Sequence, residues 1–438
     1  MTAAGDSDRQ QERGELRPES ARPAAKRSRR RRRLLFVLVA LAVGSLLSLL
    51  LLELAFRLFW KLPPWFAEFR QAGMYASLDG GTPSLQPGYR GSMALDAGKD
   101  VAVRINSLGM RGDELPAPSS ERGSRQARVL AIGDSMVFGY GLEAEQALPA
   151  VLQERWGPTD TPAVVGNAGV PGYGSRHYAE HLRRLDEPFG ADAVLVFSCL
   201  GNDPIDDTTP MRVVTSGLML QGVWARLAQD SFRMRLALRS RAALWLESWL
   251  VSNKPELALT ASARIDPEEM LRLAGLPPKP QQWGALFLDV ADASKTWQPG
   301  AVPVVPRLLG YLEDSLAQMR EVAGKRALVH VVLPMAWQLD EGIWRDELLR
   351  CGLSPSEFRF GELRRRVRAA AAAAGVPSLD AGEALLAEPE LRALYLSDRA
   401  HLSAEGVRVV ANWLAARLAA MPEMWTRKLR AAVQARTK

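Results

Sequence analysis

Nineteen consecutive residues, Leu34 to Leu52, carry no charge at all, and they follow directly on Lys26, Arg27 and the run Arg29 to Arg33. In hydrocarbon every backbone polar group has to be satisfied inside the segment, which leaves a helix as the form open to a single apolar stretch. At a rise of about 1.5 Å per residue the run reaches roughly 28 Å, the thickness of a bilayer core, whereas a signal-peptide core takes about 7 to 15 residues. No small-residue cleavage site follows; Glu53, Arg57, Trp60, Lys61 and Trp65 do, a mixture suited to the far interface. The expectation is one transmembrane helix with its N-terminus held in the cytoplasm by the basic cluster and the rest of the chain sent across an inner (cytoplasmic) membrane to a periplasmic or extracellular location.

Charge supports this use of the basic run. Residues 1–33 hold eleven Lys/Arg against five Asp/Glu, so +6 of the chain's +7 lies there. The nearly neutral remainder gives no argument for a nucleic-acid partner. Two cysteines, Cys199 and Cys351, are too few for a disulfide framework, and Cys199 ends an apolar run as a small buried residue would.

The expected organisation is a disordered basic tail over 1–33, the membrane helix and interface over 34–59, and a stalk or lid with short strands over 60–125. An α/β domain follows over 126–424, carrying an insertion at about 206–303, and a basic tail occupies 425–438. From Ala127 apolar runs alternate with amphipathic segments: "RVLAI", Ala147 to Trp156, "AVV", Ser175 to Leu185, "AVLVFSC", "ALVHVVLP", then Glu362 to Ala374 with Gly375 as a stop. Strand and helix in alternation imply a parallel sheet covered on both faces. The last helix begins after Ser403, an expected N-cap, and puts Val407, Val410, Leu414 and Leu418 on one face. Within the insertion Trp245 and Trp249, four apart, fit packing on the core better than contact with lipid or capping of a substrate groove.

Four places could carry chemistry together. Ser135 in "AIGDSMVFGYG" ends the first strand, where open α/β sheets put their ligands. "LYLSDRAHLSAEG" sets Asp398 and His401 three apart, so that a carboxylate can fix the tautomer of an imidazole base. Between them "NAGVPGYGS" and "CLGNDPID" follow the second and third strands and offer the Gly172 amide and the Asn202 side chain as donors beside the Ser135 amide, an oxyanion hole worth about 3 kcal/mol per donor.

Rival patterns carry less. "HYAEH" places His177, Glu180 and His181 in an inverted zinc-protease spacing, and its plainer reading is an exposed amphipathic helix. Gly139, Gly141 and Ala144 satisfy a loose G-x-G-x-x-A, with Glu143 set to repel a pyrophosphate. Val137 stands where an α/β-hydrolase elbow needs glycine. His330 reads as a satisfied core histidine and Asp203 as a residue that shapes its turn. No cofactor and no metal is called for.

The blocks "GDS", "NAGVPG", "GND" and "DRAH", in this order and on this strand pattern, resemble the SGNH hydrolases, the GDSL esterase/lipase family, over about residues 126 to 422. "RINSLGMRGDELP" and "FGYGLEAEQALPAVL" look like segments of its membrane-anchored bacterial members. The resemblance implies a flavodoxin-like three-layer α/β/α fold with a parallel sheet. It also implies Ser135 as nucleophile, His401 as base, Asp398 as its orienter, and Ser135, Gly172 and Asn202 as the oxyanion hole. The implied activity is hydrolysis of acyl esters, with short acyl groups on a carbohydrate, envelope polymer or lipid as substrate. O-acyl transfer through the same triad is one alternative, and a catalytically silent envelope-binding or scaffold protein is another.

Overall fold

The computed structural model describes residues 22–60, 73–77, 82–94, 100–118, 126–156, 163–201, 203–207, 211–214, 218–221, 232–253, 304–350, 354–397 and 399–425. Helix α1 (Arg22–Phe59) begins the described chain. Among the described residues it contains the one helix long and apolar enough to cross a membrane, Arg31–Phe59, none of which is buried. Residues 1–61 and 236–246 make one compact unit, and residues 62–235 and 247–438 make the other.

Two antiparallel pairs open the larger unit: β1 (Tyr75–Ser77) with β2 (Pro83–Leu85), and β3 (Arg90–Ala94) with β4 (Asp100–Arg104). The segment expected as a stalk or lid is built into the domain instead. Met74, Tyr75, Leu85, Met93, Val101, Val103, Ile105 and Met110 are buried in one hydrophobic cluster with Leu130, Ile132 and Phe138. Apolar alternation along β4, buried at Val101 and Val103 and open at Asp100 and Ala102, is what lets so short a strand cover a core.

The alternating region then follows as β5 (Ala127–Gly133), α2 (Ser135–Phe138), α3 (Leu148–Trp156), β6 (Ala163–Gly169), α4 (Ser175–Phe189), β7 (Ala193–Cys199) and α5 (Asp203–Asp206). The insertion contributes the hairpin β8 (Met211–Val214) and β9 (Leu218–Gln221), then α6 (Phe232–Arg239) and α7 (Arg241–Asn253). After it come α8 (Val304–Ala323), β10 (Ala327–Leu333), α9 (Glu341–Arg350), α10 (Glu362–Ala373), β11 (Ser378–Asp380), α11 (Gly382–Leu385) and α12 (Ala404–Ala419).

Five strands form one parallel sheet in the order β6-β5-β7-β10-β11. This is the flavodoxin-like order 2-1-3-4-5, with its topological switch beside β5. Every residue of β5, β6, β7 and β10 is buried, which is why these strands are largely apolar, broken only by one buried polar residue each, Arg128, Asn167, Ser198 and His330. Side chains alternate between two cores: Ala127, Val129 and Ala131 face α3 and α12, while Leu130 and Ile132 face α4, α8 and α10. The sheet thus lies between two helix layers, the expected three-layer fold.

Local chemistry starts the last helix where the sequence places it. Ser403 Oγ accepts from Gly406 N at 3.2 Å and starts α12, whose Val407, Val410, Ala411, Leu414 and Leu418 are buried. Trp245 and Trp249 depart from the expectation of core packing: they are 37% and 43% exposed. Cys351, residues 254–303 of the insertion and the tail beyond 425 lie outside the described residues.

Candidate active site

β5 stops at Gly133, and the turn beyond it is held from both sides. Asp134, fully buried, accepts from Met136 N at 2.9 Å and so caps the single helical turn that begins with Ser135. Gly139 N and Tyr140 N both donate to Ser135 O at 3.0 Å, and Gly139 closes the turn in the left-handed region at φ 83°. Ser135 is therefore fixed at the C-terminal end of the strand beside the switch point, half-buried, in the crevice where this sheet type binds ligands.

His401 arrives from the other end of the chain. The connection ahead of α12 is tied down by Leu396 N donating to His401 O at 2.7 Å, by a bridge between Tyr395 and Leu402, and by Tyr395 Oη on Pro334 O at 2.7 Å. Arg399 within it sits at φ 58°, and its carbonyl accepts from Ala336 N at 3.3 Å. The result brings His401 Nε2 to 2.8 Å from Ser135 Oγ, a hydrogen bond across 266 positions of sequence. Asp398 lies outside the described residues.

The second block joins the same sheet edge. Val170 N donates to Gly133 O at 3.0 Å, and the loop then turns through Gly172 at φ 83°, a conformation that suits glycine. Gly169 is required for another reason: a Cβ there would stand 2.1 Å from Phe138 N, so the strand end and the Ser135 turn pass backbone against backbone. Asn167 stitches the two together, accepting from Gly169 N at 3.1 Å and donating to Phe138 O at 3.3 Å.

At the third block Asn202 lies outside the described residues, but its neighbour does more than shape a turn. Asp203 is buried, accepts from Cys199 N at 3.2 Å and takes Tyr178 Oη at 3.0 Å on both carboxylate oxygens. Burial, reinforced by the nearby Asp134 and Asp207 carboxylates, pushes its pKa well above the usual range. It fastens the end of β7 to α4.

Two residues without a role in the sequence reading stand behind the Ser135–His401 pair. The ring of Tyr140 stacks on His401, with centroids 5.1 Å apart and planes at 28°. Arg111, 4% exposed, donates to Phe138 O at 2.7 Å, Gly139 O at 2.5 Å and Leu142 O, and its guanidinium lies 4.5 Å from the Phe138 ring centre. Burial lowers its pKa to about 10, opposed by Glu143 and Glu145, so it stays charged at neutral pH. The segment "RINSLGMRGDELP" was the available signal, since its Arg111 also bonds from N to Asn167 O at 3.1 Å and lines the edge of β6. Gly139 and Gly141, at φ 83° and 77°, belong to the turn that Arg111 clamps.

The histidines of "HYAEH" are corrected from exposed to buried. His181 Nε2 lies 3.0 Å from Ala168 O while Arg184 donates to its Nδ1 at 2.8 Å, so both ring nitrogens are engaged. His177 Nδ1 accepts from Gly174 N at 3.0 Å and its ring stacks on Tyr173 at 5.0 Å. Burial lowers their pKa values to about 3 and about 4, and a neighbouring guanidinium adds to each. His330 is the satisfied core histidine expected, 2.9 Å from Ser378 Oγ and 3.0 Å from Ser198 Oγ.

Comparison with known proteins places the chain in a family. Residues 131–409 match the GDSL-like lipase/acylhydrolase family. Solved structures similar to this chain include a lipase/acylhydrolase from Enterococcus faecalis, 13% identical, covering 67% of this chain and 95% of its own at a TM-score of 0.32. A GDSL-like lipase from Bacteroides thetaiotaomicron is 12% identical over 69% of this chain and 91% of its own, with a TM-score of 0.32. Among curated proteins none matches the sequence. With the match spanning well over half of its length, the chain belongs to the GDSL-like lipase/acylhydrolase family and is an ester-hydrolysing enzyme.

Proposed function

We propose that the protein is a membrane-anchored serine esterase that removes short acyl groups from a carbohydrate, envelope polymer or lipid. The observation that carries the mechanism is the 2.8 Å approach of His401 Nε2 to Ser135 Oγ. In this reading Ser135 Oγ attacks the ester carbonyl as His401 takes its proton, and Asp398 holds the imidazole in the tautomer that leaves Nε2 as base. The carbonyl oxygen becomes an anion held by the Ser135 and Gly172 amides and the Asn202 side chain. Collapse expels the alcohol, which takes the proton from His401, and leaves an acyl-serine. Water, deprotonated by the same imidazole, then releases the acid. An alcohol in place of water would make the same residues an O-acyltransferase.

Anchoring is supported by the uncharged run Leu34 to Leu52 within the candidate membrane span of α1 and by the basic cluster ahead of that run. The envelope-facing substrate class follows from that location.

The test is turnover of p-nitrophenyl acetate by the full-length protein in detergent, wild type beside Ser135→Ala, together with labelling by an active-serine phosphonate. Loss of both in the variant, by at least about 10⁴-fold in turnover, is expected for a nucleophile. Labelling that persists in Ser135→Ala would assign the nucleophile elsewhere, and turnover that rises with added sugar alcohol would favour acyl transfer.

A further inference from the structure

The outer end of α1 is gripped by the insertion. Glu53, the first charge after the uncharged run, accepts from Ser240 Oγ at 2.7 Å, Arg241 N at 3.0 Å, Ala242 N at 3.2 Å and Arg57 Nε at 2.7 Å. Arg241 and Ala242 open α7, so their amides are two of the donors a helix start leaves without intrahelical partners. Ala243 N is taken by Ser240 Oγ at 3.1 Å. The start of α7 is thus capped by a carboxylate 188 positions away, at the positive end of the helix dipole. One turn further along α1, Arg57 donates to Arg239 O at 3.3 Å and the Phe56 ring lies 5.1 Å from that of Trp245.

These contacts are specific to both partners. Shedding α1 as a leader would leave Ser240 and the first amides of α7 without their acceptor and Trp245 without its aromatic neighbour. Nineteen uncharged residues before Glu53 reach roughly 28 Å, which sets the Glu53 contacts at headgroup level on the far side of a bilayer. Around them apolar surface remains open: Leu54 is 51% exposed, Leu58 67%, Leu236 46%, Trp245 37% and Leu246 47%. An interface that accepts tryptophan and arginine beside leucine is the headgroup boundary of a membrane.

We infer that α1 is retained in the working protein, that Leu236–Leu246 of the insertion is the socket of its outer end, and that Leu236, Trp245 and Leu246 face interfacial lipid. This rests on the reading of α1 as a membrane helix, and the experiment separates the two. Full-length protein carrying Phe56→Cys and Trp245→Cys is oxidised with copper phenanthroline in native membranes. Linked peptides are then identified by mass spectrometry, in variants that keep wild-type esterase turnover. The expected result is a link within one chain, reduced about tenfold by Glu53→Ala as one helix cap is lost, from protein that resists carbonate extraction and still contains residues 34–52. A mature chain without those residues, or one released by carbonate, overturns the membrane-helix reading and the inference with it. A carbonate-resistant chain with no link, or with links between chains only, overturns the socket alone. A spin label at Leu246→Cys in nanodiscs is expected to be relaxed several-fold more by oxygen than by an aqueous nickel chelate; the reverse order removes lipid as the partner.

Discussion

Tyr140 stacks on the imidazole of His401 at 5.1 Å, and the same imidazole reaches Ser135 Oγ at 2.8 Å. In the proposed mechanism a ring held on one face by an aromatic would keep its Nε2 aimed at Ser135 Oγ, and such contacts contribute about 0.5 to 1.5 kcal/mol. Tyr140→Ala is therefore expected to lower kcat for p-nitrophenyl acetate by about tenfold with KM little changed, and Tyr140→Phe to keep wild-type values. A Tyr140→Ala enzyme with unaltered kcat would remove the stack from the mechanism.

Arg111 holds the turn that carries Tyr140, since its guanidinium binds the carbonyls of Phe138, Gly139 and Leu142 on either side of it. Hydrogen bonds from a charged donor contribute about 1.5 to 3 kcal/mol each, so Arg111→Met should cost about 3 to 5 kcal/mol in unfolding free energy. Arg111→Lys should recover little, because an ammonium cannot span three carbonyls as a planar fork does. The check is the urea midpoint and kcat of both variants; a wild-type midpoint in Arg111→Met contradicts the clamp.

Arg399 occupies the left-handed region at φ 58° with an exposed side chain, two residues before His401. Left-handed backbone costs an L-residue with a Cβ about 1 kcal/mol that glycine does not incur. Arg399→Gly should accordingly leave stability unchanged or raise it by up to about 1 kcal/mol, with esterase turnover retained. Arg399→Val should lower both, because a β-branched side chain crowds that conformation most. Thermal unfolding and turnover of the pair decide it, and equal Tm values for Gly and Val would mean that the loop relaxes away from φ 58°.

The parts of the molecule that follow a period were legible in the sequence. β5, β7 and β10 are buried on both faces and so appear as nearly continuous apolar runs, and α12 repeats Val407, Val410, Leu414 and Leu418 behind a serine cap. Ser135 and His401 were legible as motif members, although only the fold brings them together. Arg111 lies in the segment "RINSLGMRGDELP", but its clamping of the turn is not legible there, because a charged residue reads as surface unless its carbonyl partners are known, and those lie 27 to 31 positions away. His177 and His181 were misplaced for a related reason: imidazoles that bond to local carbonyls and amides sit on the buried face of α4 beside Tyr178 and Leu182. The joining of α1 to Ser240 and Arg241 leaves no local trace at all, because one partner is a lone glutamate after an apolar run.

Three buried histidines make stability depend on pH in a definite direction. Burial lowers His177 to about 4, and His181 and His330 to about 3. In the unfolded chain each titrates near about 6.5. Between those values the unfolded state binds more protons, so stability is full above pH about 6.5 and falls as the pH drops toward 3 to 4. Asp207, raised to about 6 mainly by burial, acts oppositely: its native form holds a proton that the unfolded form has lost, which adds stability on acidification from about 6 to about 4. Glu362, held near 2 by hydrogen bonds from Arg365 and Arg366, adds a further loss only below about 4.5. Comparing variants isolates one histidine from these. His330→Met should be less stable than wild type at pH 7.5, where the two serine hydroxyls lose their partner, and that deficit should shrink steadily between pH 6.5 and 4.5 because the variant has no imidazole to protonate on unfolding. Urea midpoints at pH 7.5, 6.5, 5.5 and 4.5 measure it, and two parallel curves would show that His330 titrates alike in the folded and unfolded chains.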